Sequence, residues 1–204
     1  MKKNKKELVW EYTKAVVTAL LLALFIRAYF IQAFKIPSGS MIPTLLIGDH
    51  ILVNKFIYGT TLPLSDRRVL VFRKPEKGDI IVFKYPEDRK RDFIKRVIAV
   101  EGDVIESKNK VIYVNGKAVD EPYAQHTDTS LRPGGIEPRD NFGPHIVPKE
   151  KYFMMGDNRD QSYDSRYWGY VDIRDIRGEA LIMYWSWDGK NHWPRFERIG
   201  RLVK

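Results

Sequence analysis

The feature that most limits this chain is the uncharged run AVVTALLLALFI at residues 15–26, standing behind Lys2, Lys3, Lys5 and Lys6. Twelve residues fall short of the ~20 needed to cross a bilayer. Extension past Arg27 through AYFIQAF to Phe34 supplies the length. Arg27 would then lie near the outer end, where a long side chain reaches the headgroups at reduced cost. A removable leader is the competing reading. Cleavage after Ala33 would put Ile31 three residues before the cut, where a small residue is needed. The segment is therefore read as an uncleaved anchor over 14–34. Residues 1–13 form a basic cytoplasmic end, and the remainder lies outside, by the positive-inside tendency. The predicted location is the bacterial cytoplasmic (inner) membrane, single-pass, with the following domain on the extracytoplasmic side.

Beyond the anchor lies a folded body: 44% of the 204 residues are hydrophobic and 30% charged. With no cysteine, disulfides, thiolate chemistry and cysteine metal sites are excluded. The four histidines, His50, His126, His145 and His192, have no metal-site spacing, so no metal is expected. A net charge of +9 invites a nucleic-acid reading, but the basic residues are dispersed and carry no recognition motif. Lys190, Arg195, Arg198, Arg201 and Lys204, interleaved with Trp187, Trp193 and Phe196, suit anionic phospholipid better. The chain is expected to be a monomer.

Beyond Pro37 the pattern becomes strand-like. HILVNKFIYG, GDIIVFKYP, DFIKRVIAV, VIYVNGKAVD, KYFMMGDN and EALIMYWSW are runs of β-formers bounded by turn residues. Asn115-Gly116 signals a two-residue type I′ hairpin. The turn-rich HTDTSLRPGGIEPRDNFGP argues for a long excursion before the chain returns to a strand at Tyr152. The predicted fold is mostly all-β: antiparallel sheets form a core from 35–102 and 151–204, interrupted by a β-rich insertion at 103–150 and preceded by one transmembrane helix.

Three stretches carry chemistry. PSGSM places Ser38 and Ser40 one residue apart; on its own, such a stretch is usually only a turn. A serine nucleophile needs a base. There is no GxSxG elbow, and none of the histidines stands in a partner pattern, which turns attention to lysine. A lysine serves only if burial lowers its pKa from about 10.4 toward neutrality. In DFIKRVIAV, strand alternation puts Phe93, Lys95 and Val97 on one face and Ile94, Arg96 and Ile98 on the other. One of Lys95 and Arg96 must then lie among apolar neighbours, and only lysine can give up its proton usefully. The plain alternative is an edge strand whose Lys95 amine stays in water. The third stretch, GDNRDQSYDSRYWG at 156–169, fails as a calcium loop: Arg159 takes the third position and no glycine takes the sixth. Its interleaved Asp and Arg residues suggest a paired network around Ser162.

Taken together and in this order behind an anchor, PSGSMIPTL, GDIIVFKYP, DFIKRVIAVEGD and GDNRDQSYDSRYWG resemble the sequence boxes of bacterial signal peptidase I, the type I leader peptidases. The resemblance covers residues 34–185. It implies a Ser/Lys serine endopeptidase with Ser40 as nucleophile and Lys95 as general base. Ser38 would join the Ser40 N–H in an oxyanion hole, Ser162 would orient the lysine, and Asp164 and Arg166 would form a supporting network. It further implies that Phe34, Ile36, Met41, Leu45, Val82 and Ile94 line shallow pockets for small side chains, that exported preproteins are the substrates, cut after Ala-X-Ala-like sites, and that no cofactor is needed. The sequence departs from the family pattern at Gln161, where asparagine is commoner. Self-cleaving repressor proteases share the chemistry but carry a DNA-binding segment where this chain has an anchor. Specialised maturation peptidases share the boxes. An inactive β-domain that binds exported or envelope proteins would be favoured by loss of Ser40 or Lys95, and both are present.

Overall fold

The computed structural model describes residues 4–61, 68–69, 71–133 and 135–204. Residues 62–67, 70 and 134, which fall within the segments read from sequence as core and insertion, lie outside these. Helix α1 (Lys5–Tyr29) opens the chain. Asn4 caps it and the Glu7 side chain returns to the Asn4 N–H, while Arg27 sits in the last turn, where its charge suits the helix dipole. None of its side chains is buried. It is long and apolar enough to cross a membrane.

The helix ends before Phe34, the residue to which the sequence pattern extends it. Residues Ile31–Lys35 form strand β1 instead, because IQAFK alternates and pairs antiparallel with β2 (Asp49–Asn54), Phe34 opposite Ile51. Alternation within five residues is invisible inside a longer apolar run. A short pair, β3 (Thr60–Thr61) and β4 (Arg68–Val69), comes next.

The main antiparallel sheet joins β1 and β2 to β5 (Ile80–Lys84), β6 (Asp92–Ala99), β11 (Lys151–Met155), β12 (Val171–Asp172) and the long β13 (Ile176–Asp188), with β14 (Trp193–Pro194) pairing the end of β13. Its order is β1-β2-β13-β5-β6-β11-β12. The intervening segment folds as a second sheet, β10-β7-β8-β9, from β7 (Val104–Lys108), β8 (Val111–Val114), β9 (Lys117–Ala118) and β10 (Phe142–Ile146). Asn115 and Gly116 make the β8–β9 turn with φ of 53° and 76°, the left-handed pair that a type I′ hairpin requires. A fold of mostly antiparallel sheets behind one apolar helix is what the sequence pattern predicts.

Strand β5, IIVFK, is apolar on both faces because both are covered. Ile80 and Val82 enter one cluster with Ile36, Met41, Leu45, Ile51, Val53, Ala180 and Met183. Ile81 and Phe83 enter another with Val97, Met154, Val171 and Ile176. A third cluster joins the two sheets through Ile98, Ile105, Ile112, Phe153 and Met155. The segment 37–48, which carries both serines, is pinned by Met41 and Leu45, neither of which is exposed at all. At ~1.5–3 kcal/mol for each large apolar side chain fully buried, these two anchors stabilise an otherwise irregular stretch.

Candidate active site

The serine turn, strand β6 and the loop after β11 meet at one cleft. It has a volume of about 520 Å³, and its walls include Pro37, Ser38, Ser40, Ile94, Lys95 and Tyr163. Ser40 is half-buried at its base and Ser38 is exposed on its wall. Lys95 is 4% exposed, and its Nζ stands 2.6 Å from Ser40 Oγ. Burial drives the amine down from its ordinary 10.5 to about 8; the Asp164 charge opposes this, Arg166 assists it and Asp157 opposes it. At about 8, roughly one amine in ten is neutral at pH 7, against about one in 3,000 for an unperturbed lysine. A neutral Nζ this close can accept the Ser40 proton.

Arg96 is also buried, at 2% exposure. Alternation calls for one of the two cations inside; the structure puts both there, since each face of β6 is covered at this point. The Arg96 charge is matched by Asp157, fully buried, through Nε–Oδ1 at 2.8 Å and Nη2–Oδ2 at 2.7 Å. Its guanidinium also lies 3.8 Å from the Tyr123 ring centroid. The two neighbours thus divide the work: among the described residues Lys95 has no carboxylate within ion-pair distance, only the more distant charges of Asp164 and Asp157, while Arg96 is a fixed, satisfied cation.

The loop after β11 supplies the other groups. Asp164 caps the short helix α2 (Ser165–Trp168) and accepts from the Gly156 N–H at 3.0 Å and from Arg166 Nε and Nη2, each at 2.8 Å. Burial alone would raise the Asp164 carboxyl, but the Arg166 charge and these hydrogen bonds outweigh it and hold the group below its ordinary range. Arg166 also donates to the Arg159 carbonyl within the loop and to the Arg139 carbonyl in the segment that leads into β10. Ser162 is buried beside the site. Its hydroxyl is near enough to Asp164 to help lower that carboxyl but outside hydrogen-bond geometry, and it has no partner among the described residues. The Lys95 amine reaches Ser40 and makes no hydrogen bond to Ser162, the contact that the sequence resemblance implies.

Among the six residues expected to form substrate pockets, Ile36, Met41, Leu45 and Val82 are buried together, with Phe34 and Ile94 packed against them. Ile94 reaches the cleft wall. Sequence reasoning missed the roles of Gly156 and Asn158. A Cβ on Gly156 would lie 2.3 Å from Ser162 Oγ and 2.4 Å from the Ser40 carbonyl oxygen, so only glycine fits between the two serine segments. Asn158 grips the serine turn itself, its N–H donating to Ser40 O and its Nδ2 to Gly39 O, both at 3.1 Å. The motif GDN held the only clue, and nothing in it says which segment it faces.

A serine hydroxyl 2.6 Å from a buried amine is suited to acyl transfer, and the match of residues 9–185 to a peptidase family makes the protein, in class, a serine endopeptidase. Comparison with known proteins gives the family. Residues 9–185 match the model of signal peptidase, peptidase S26. Signal peptidase I of Pseudomonas fluorescens is 38% identical, with all of this chain covering 82% of that one. The Pseudomonas aeruginosa signal peptidase I is also 38% identical over 98% of this chain and 81% of its own length, and that of Aquifex aeolicus 37% over 82% and 80%. A solved signal peptidase I from Enterococcus faecalis is 28% identical, with a TM-score of 0.43 over 52% of this chain and 97% of that one. The chain belongs to the signal peptidase family, peptidase S26.

Proposed function

We propose that this protein is a membrane-anchored endopeptidase that removes signal peptides from exported preproteins, with Ser40 as nucleophile and Lys95 as general base. The observation that carries the reading is the 2.6 Å contact between Ser40 Oγ and a buried amine whose pKa is lowered to about 8. The substrate would enter extended. Strand β6 pairs with β5 along residues 92–96 but with β11 only from Arg96 onward, so, among the described residues, 92–95 have no strand partner on that second edge, where a peptide strand would add. Small side chains before the cut suit the shallow apolar surface of Ile94 and Phe34 over Ile36, Met41, Leu45 and Val82. Larger ones would meet a filled core.

In the first step neutral Lys95 takes the Ser40 proton as Oγ attacks the scissile carbonyl. The carbonyl oxygen gains charge and is stabilised by the Ser40 N–H and the Ser38 hydroxyl. The protonated amine then gives its proton to the departing nitrogen, and the mature protein leaves. The signal peptide stays on Ser40 as an ester. Water, deprotonated by the same amine, attacks that ester and frees both the peptide and the serine. Ser162 would steady Lys95 as the amine turns between these partners. Helix α1 would lie in the cytoplasmic membrane with its basic end inside, holding the cleft at the outer surface. There Trp187, Trp193 and Phe196, all exposed, with the basic residues around them, would rest among phospholipid headgroups.

The test is cleavage of a preprotein bearing an Ala-X-Ala site, in detergent, by the wild-type chain and by Ser40→Ala, with N-terminal sequencing of the product. A product beginning right after the second alanine, formed only when Ser40 is present, is expected. An intact preprotein alongside a folded wild-type enzyme would sink the proposal.

A further inference from the structure

An oxyanion hole that uses the nucleophile's own N–H depends on which way one peptide plane faces, and nothing in a Gly-Ser turn fixes that. Gly39 leaves its side of the plane free to rotate. The structure offers an external hold. The Gly39 carbonyl accepts from Asn158 Nδ2 at 3.1 Å and from the Ile42 N–H at 3.2 Å. The Ser40 carbonyl accepts from the Asn158 N–H at 3.1 Å. Because the trans peptide is planar, the Gly39 C=O and the Ser40 N–H point in opposite directions. Whatever holds the oxygen aims the hydrogen. Among the described residues the Ser40 N–H has no hydrogen-bond partner, so it is free for a ligand in the cleft that Ser40 lines.

We infer that Asn158 is a positioning residue for the oxyanion: its side-chain amide fixes the Gly39–Ser40 peptide so that the Ser40 N–H faces the cleft. This rests on the reading of Ser40 as nucleophile.

Asn158 is well placed for this, because its own position is fixed on both sides. The Asp157 carbonyl accepts from the Gln125 N–H at 2.7 Å, and the Gln125 carbonyl accepts from the Arg159 N–H at 2.9 Å. Asp157 is locked to Arg96, and Arg159 to Glu121 through two contacts of 2.5 and 2.6 Å. Arg96 follows Lys95 directly. One ion pair therefore sets the strand carrying the base against the residue that aims the oxyanion donor. The amide orientation is not arbitrary, since Gly39 O can only accept and must face Nδ2. That leaves Asn158 Oδ1 buried with no partner among the described residues. Buried acceptors without a partner are uncommon, and donation to Gly39 O accounts for this one.

The experiment uses the full chain in detergent with Asn158→Ala and with Asn158→Asp, which keeps the shape and the backbone contact but replaces the donor. Acylated Ser40 is titrated to count competent sites, so that rates are per site. The measurements are kcat and KM on a preprotein, the pH midpoint of kcat, and the affinities of a peptide boronic acid, which forms a tetrahedral adduct on Ser40, and of the matching peptide amide, which does not. Deleting an oxyanion donor costs about 10²–10³ in rate; loosening one that Ile42 still partly holds should cost about 10-fold. The expected result is a per-site kcat and a boronate affinity lowered together by about that factor, with KM and amide affinity as in the wild type and, in the uncharged Asn158→Ala, an unchanged pH midpoint. Should Asn158→Ala unfold, Asn158→Asp carries the test. A per-site kcat unchanged in Asn158→Asp, with only fewer competent sites or a lower Tm, would overturn the inference by making Asn158 structural. A pH midpoint shifted in Asn158→Ala, which adds no charge, would overturn it by routing the effect through Lys95. Failure of wild-type Ser40 to acylate at all would instead remove the underlying reading, and both would go.

Discussion

Replacing Gly156 with alanine adds one methyl group at the point where the two halves of the site touch. The new Cβ would lie 2.3 Å from Ser162 Oγ, 2.7 Å from Ser162 Cβ and 2.4 Å from the Ser40 carbonyl oxygen. Carbon needs about 3.5–4.0 Å from its neighbours, so the gap must open by roughly 1 Å or more. Neither side yields easily. Ser162 is buried, and the Ser40 carbonyl is held by the Asn158 N–H at 3.1 Å. The Gly156 N–H is itself fixed by Asp164. Overpacking of this kind costs about 1–3 kcal/mol, which for a chain of this size lowers Tm by about 2–4 °C per kcal/mol. The larger effect is on rate, since a 1 Å displacement of a reacting group can cost about 10²-fold. Gly156→Ala should therefore melt several degrees lower, with kcat on a preprotein down about 10²-fold while KM changes little. Gly189→Ala is the control, because a Cβ there meets nothing within 4 Å. A Gly156→Ala enzyme with kcat within about threefold of the wild type would show that the two segments are not packed as described.

Two further substitutions separate chemistry from folding. Ser162→Ala removes a buried hydroxyl that has no partner among the described residues, so its Tm should match or slightly exceed the wild type; if the hydroxyl steadies Lys95 during turnover, kcat should still fall about 10- to 100-fold. A rate left unchanged would assign Ser162 no part in turnover. Asp164→Asn strands the buried Arg166 charge, and urea unfolding should register a loss of about 3–5 kcal/mol. A loss under about 1 kcal/mol would mean that the Arg139 and Arg159 carbonyls satisfy Arg166 unaided.

Much of this architecture is legible because its signals are local. Runs of β-formers bounded by turn residues mark β2, β5, β6 and β11, and Asn115-Gly116 dictates its own turn. Lys95 stands out because a lysine flanked by Phe93, Ile94 and Val97 has few reasons to be there. What the sequence hides is set by partners far along the chain. Ile31–Lys35 leaves the apolar run to become a strand only because β2 is there to pair with it. Arg96 can be buried beside Lys95 only because Asp157, sixty-one residues away, supplies its counter-charge. The hold of Asn158 on Gly39 spans 119 residues. The Ser40, Ser162 and Gly156 segments meet in space in a way that no spacing within a motif encodes.

The most direct test of the Ser40–Lys95 pairing is the pH dependence of Ser40 acylation in a single turnover, followed by mass spectrometry of the trapped ester. Only the neutral amine can take the proton, so the rate should rise tenfold per pH unit on the acid side and level off above a midpoint of about 8. At pH 7 it should stand at about a tenth of its plateau. A midpoint near the 10.5 of an ordinary lysine would contradict a base activated by burial, and one near about 6.5 would point to a histidine in its place.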